Sequence, residues 1–221
     1  MAGNGIPIRN IFWVSIFAVA FAYVESSVVV YLRAIYYPTG FEFPLKLIST
    51  HHLTVELARE AATIVMLAVA GILAGGKGWE KFGYFLIAFG VWDVFYYVWL
   101  KVVLNWPLSL TDWDVLFLIP LPWIGPVIAP VVISLMMIVC GVIIVIRLSR
   151  GHHFRPVLVT WLLAFSATLV VLYSFTLDIA ATLQFQMPAP YRYELLITGL
   201  LVYAAAFVTA CRPTATFRSP A

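Results

Sequence analysis

Three side chains able to hold a metal or a proton recur at four-residue steps, His52, Glu56 and Glu60, with Arg59 and Thr63 beside them. On a helix that spacing stacks the three along one face, a turn apart. Two more acids, Glu25 and Asp93, stand in the middle of other long apolar runs. A charge inside hydrocarbon costs a few kcal/mol on insertion scales, so each of these groups asks for a partner or a role. Arg33, His51 and Lys101 mark one membrane boundary. Measured from them at about 1.5 Å per residue, Glu25, Arg59 and Asp93 lie about 12 Å inward, with Glu60 slightly deeper. Three helices therefore contribute to one layer, and its stripe on the second helix should face the bundle.

The charges in this layer do not balance. Glu25, Glu56, Glu60 and Asp93 bring four negative charges against Arg59 alone, an excess of three in a low dielectric. Three remedies exist: protonation of some acids, a bound metal ion, or Arg33 and Lys101 reaching inward. A metal would take Glu25, His52, Glu56, Glu60 and Asp93 as mixed nitrogen and oxygen ligands, a set suited to a divalent transition metal such as zinc, iron or manganese. Such a site can activate water or dioxygen. The expectation that follows is a metal-dependent membrane enzyme acting on a lipid or small apolar substrate, with Glu60, Asp93 and Arg59 as its catalytic groups. The paired Glu-x-x-His motif of di-iron bundles is absent.

The same residues support two other readings. In a proton or cation transporter the acids titrate or hold an ion, and a broken segment around Pro120–Pro130 offers free backbone carbonyls. In a structural or accessory subunit of a membrane complex, Glu25, Arg59, Glu60 and Asp93 form a buried network that fixes helix register.

The elements that must position these groups follow from composition. Of 221 residues, 63% are hydrophobic and 10% charged, which makes lipid and not water the main solvent. The apolar runs predict an all-α, polytopic helix bundle in one transmembrane domain, with spans at about 8–31, 51–73, 82–104, 124–146, 157–177 and 193–210. Pro38, Gly40 and Pro44, with Glu42 and Lys46, mark the first loop, and Gly75, Gly76 and Gly78 a tight turn after the second span. Pro120, Pro122, Gly125, Pro126 and Pro130 rule out a continuous helix, so Val115–Trp123 is expected to be a short interfacial or re-entrant piece. Matching charges are missing from spans four to six, which disfavours an inverted repeat.

Orientation follows from the basic residues. Arg9, Lys77, Lys81, Arg147, Arg150, Arg155, Arg212 and Arg218 fall on one side, eight of the thirteen Lys and Arg. That side is expected to be cytoplasmic, with both termini there, in the inner (cytoplasmic) membrane of a bacterium. These basic residues are scattered and not clustered, so nucleic acid is not an expected partner; the bilayer is.

Other residues carry less. Asp112 or Thr111 is expected to cap a short helix, and Tyr97, one turn from Asp93, to be its hydrogen-bond partner. Cys140 and Cys211 have no zinc-ligand spacing, and His152 and His153 belong to the cytoplasmic loop. Adjacent His51 and His52, on different helix faces, do not make a bis-histidine haem site, and the late spans have no central lysine for retinal.

Overall fold

The computed structural model describes residues 7–41, 49–119, 121–180, 184 and 186–212. Glu42, Pro44, Lys46, Pro120 and Arg218 lie outside them. Six helices are long and apolar enough to cross a membrane: α1 (Ile8–Tyr36), α2 (Thr50–Ala74), α3 (Gly78–Leu104), α4 (Ile128–Ser149), α5 (Leu158–Thr176) and α6 (Tyr193–Cys211). Their outward faces carry large apolar side chains, among them Trp13, Leu73, Leu158 and Phe165, as lipid contact requires.

Helix α1 runs five residues beyond the expected span. Arg33 does not end the helix, because an arginine costs free energy in hydrocarbon without breaking helical hydrogen bonding; Tyr37 N still donates to Arg33 O at 2.7 Å. Between α2 and α3, the Glu80 carboxylate turns back to accept from Gly76 N (2.9 Å) and Lys77 N (3.3 Å), closing the glycine turn.

The proline-rich stretch is a two-stranded antiparallel hairpin, β1 (Trp113–Phe117) and β2 (Trp123–Pro126). Its register pairs Trp113 with Pro126, Asp114 with Gly125 and Val115 with Ile124, then shifts so that Phe117 meets Trp123. Strand pairing accounts for the later start of α4, since Trp123–Pro126 belongs to the hairpin. Pro130 falls in the first turn of α4, where its missing N–H goes unused. The short helix expected at Asp112 does not form. Asp112 Oδ2 accepts from Leu108 N (2.7 Å) and Ser109 N (3.1 Å), organising a turn that leads into β1.

Helix α3 is the centre of the first four helices. It packs extensively on α4 and α1, then on α2, whereas α1 and α2 touch each other sparsely. Contact with α4 is close because the side chains there are small. A Cβ on Gly90 would sit 2.5 Å from Ser134 O, and one on Gly141 2.5 Å from Gly83 O. Small residues at such crossings let backbones approach, the main source of helix association in lipid. The α5–α6 pair is joined internally by Thr160–Thr209 (2.8 Å) and Thr168–Tyr203 (2.6 Å) hydroxyl bonds. At one end of the pair Phe175 stacks on Trp123 of the hairpin, and at the other Phe154 packs with Ile144 and Ala210.

Candidate functional site

The acids expected in one layer are divided between two lobes on either side of α3. In the first, Arg59 of α2 forms ion pairs with Glu25 of α1 and with Glu56 one turn earlier on its own helix. Thr63 donates to the other Glu25 oxygen at 3.0 Å. The three charged side chains are 7–19% exposed, so the cluster is shielded but not sealed. Glu60 lies within electrostatic range of both Glu56 and Arg59. Of the stripe expected on α2, Glu60 is buried, as is neighbouring Thr63, whereas His52 and Glu56 are only partly buried.

Glu60 has a distinct partner. Its two carboxylate oxygens accept from Leu118 N at 3.1 and 2.9 Å, and the Ile119 N–H adds to them. The hairpin turn therefore reaches the level of Glu60, ten residues or about 15 Å along α2 from Thr50. Non-helical backbone at that depth has N–H groups with no water to satisfy them, and a carboxylate supplies the acceptor.

The second lobe holds Asp93, which faces α4. Ser134 Oγ donates to Asp93 Oδ2 at 2.8 Å. Nearby, at the base of the hairpin, Arg33 of α1 donates to Asp114 Oδ1 of β1 at 3.2 Å, and both side chains are buried. The guanidinium carbon lies 3.7 Å from the ring centre of Trp106 and 4.1 Å from that of Phe41, a cation–π clamp that offsets its desolvation. Burial pushes the Asp114 carboxyl up to about 6 against the opposing pull of Arg33. Tyr97, expected to pair with Asp93, lies within electrostatic range of both Asp114 and Asp93.

Of the five expected metal ligands, the structure brings Glu25 and Glu56 together on Arg59, keeps Glu60 close by, and sends His52 and Asp93 elsewhere. His52 Nδ1 pairs with the Tyr36 hydroxyl where α2 begins, two turns from Glu60. Among the described residues, no three His, Cys, Asp or Glu side chains come together as a metal site. In this arrangement a guanidinium and separate hydrogen-bond donors already occupy these carboxylates. Of the three catalytic candidates, Arg59 and Glu60 are neighbours and Asp93 stands apart.

Arg33 does reach inward to an acid, whereas Lys101 stays at its helix end, donating to Pro107 O at 2.9 Å. Sequence reasoning missed the Arg33–Asp114 pair, Ser134 and the hairpin N–H groups. Ser134, a lone hydroxyl in a long apolar run of α4, was the available signal for one of them.

The inventory of charge remains unequal. The first lobe sets three carboxylates against one guanidinium and the second sets two against one. No protein-family model, curated protein or solved structure matches this chain.

Proposed function

We propose that the chain is a small proton or cation transporter in which the two acid-rich lobes beside α3 form the binding station. The observation that carries this reading is the excess of three carboxylates over guanidiniums among Glu25, Glu56, Glu60, Asp93 and Asp114. In a low dielectric such an excess is relieved by taking up positive charge, and a proton is the smallest carrier of it. A re-entrant hairpin beside the acids supports the reading, since non-helical backbone within a bundle recurs where ions are handled. The orientation proposed with it places the Arg9 end in the cytoplasm of a bacterial inner membrane.

The test is flux in liposomes loaded with a pH-sensitive dye under an imposed pH or potassium gradient. Wild-type protein is expected to dissipate the gradient, and Asp93→Asn and Glu60→Gln each to slow it at least about tenfold, as loss of an essential titrating group does. Flux no greater than in protein-free vesicles overturns the proposal.

One observation favours a second reading, a structural subunit of a membrane complex: every one of these carboxylates is engaged by a cation or a hydrogen-bond donor of the bundle, as a register-fixing network would require. That reading predicts no flux, together with lower unfolding temperatures for the same two variants.

A further inference from the structure

The sparse contact between α1 and α2 has a definite shape. Besides the Tyr36–His52 hydrogen bond at their other end, the two helices are bridged by the Glu25–Arg59 ion pair and, near the Arg9 end, by Asn10 Nδ2 donating to Ala74 O at 3.1 Å. Between these bridges lies an open groove of about 400 Å³. Trp13, Phe17, Met66, Val69 and Leu73 line it with apolar surface, and all five are exposed to the surroundings of the bundle. It extends along α1 from Asn10 to Phe17, about 10 Å of helix. This is the depth of one leaflet's upper acyl region, so the groove opens to lipid tails.

Its mouth is basic. Arg9 immediately precedes Asn10, Lys77 follows Ala74 by three residues, and both are exposed. The acid at this end, Glu80, is turned away into the backbone N–H groups of Gly76 and Lys77. Two cations at headgroup level above an apolar groove complement one kind of molecule, with a negative head and a hydrocarbon chain. We infer that the α1–α2 groove is a binding site for an anionic phospholipid, one acyl chain lying between α1 and α2 and the headgroup phosphate meeting Arg9 and Lys77. The site is separate from the carboxylate lobes and does not depend on the transport reading.

The experiment is native mass spectrometry of the full chain in detergent, supplied with equal amounts of palmitoyl-oleoyl phosphatidylglycerol and phosphatidylcholine. Wild-type protein is expected to retain one phosphatidylglycerol per chain with a preference of about tenfold or more, the scale set by two basic side chains at a headgroup. Arg9→Gln with Lys77→Gln should bring the preference near unity while lipid still binds. Ala70→Trp, which fills the groove, should remove the retained lipid. Equal retention of the two lipids by wild type overturns the inference, as does an unchanged preference in the double variant. Those two arms need only surface substitutions and decide the matter even if Ala70→Trp does not fold.

Discussion

At the level of single residues, Arg59 matters most, because one guanidinium serves two carboxylates from two helices. Deleting it leaves Glu25 and Glu56 facing each other without a cation. Arg59→Ala should therefore destabilise the protein by about 3–5 kcal/mol, the cost of orphaning a buried ion pair. Adding Glu25→Gln should restore part of that loss, because the double variant no longer leaves the Glu25 charge unpaired. Denaturant unfolding in mild detergent, run as a double-mutant cycle, measures both effects. This part of the site was legible in the sequence: four-residue spacing set Glu56 and Glu60 on one face, and counting rise from the boundary placed Glu25 level with Arg59. What spacing could not supply was the direction of each acid around its helix. Asp93 points to α4, and Arg33 finds a partner 81 residues away on a strand. Depth follows from one-dimensional counting, whereas azimuth depends on which neighbours pack where.

Among the elements, α3 and α4 pack closely at Gly90 and Gly141, and their contact places Ser134 within reach of Asp93. Gly90→Leu would drive a side chain into Ser134 O and Ile138. We expect a loss of about 1–3 kcal/mol or more from overpacking, and with it the Asp93–Ser134 hydrogen bond; thermal unfolding of Gly90→Leu beside Gly90→Ala checks the graded effect. The hairpin shows how far composition reads. Prolines at 122 and 126 forbade a helix, and the segment expected to be an interfacial or re-entrant piece is a hairpin whose turn docks on Glu60. Its strands were hidden because five apolar or aromatic residues in a row fit a strand and an interfacial helix equally well. The helices, by contrast, were plain in sequence because a spanning helix must satisfy its own backbone, leaving length and apolarity as sufficient signals.

Across the whole molecule, a four-helix group around α3 carries both acid lobes, and the hairpin ties them together, its turn on Glu60 and its base on Arg33. The α5–α6 pair buttresses this group through Trp123 and Phe175, through the α4–α5 loop, where Arg155 N reaches Ala210 O at 3.2 Å, and through Arg147 in the last turn of α4, which reaches Cys211 O at 2.8 Å. No charged side chain of α5 or α6 joins the acid lobes among the described contacts. The proposed chemistry therefore belongs to the four-helix group, and the property it rests on is the excess of carboxylates over guanidiniums. Infrared spectroscopy of the protein in liposomes tests that property directly, by following the C=O stretch of protonated carboxylic acids through a pH titration. Such a band is expected at neutral pH, shifted in heavy water and weakened in Asp93→Asn or Glu60→Gln; wild-type protein with no protonated-carboxyl band and no bound cation at neutral pH would overturn the transport proposal.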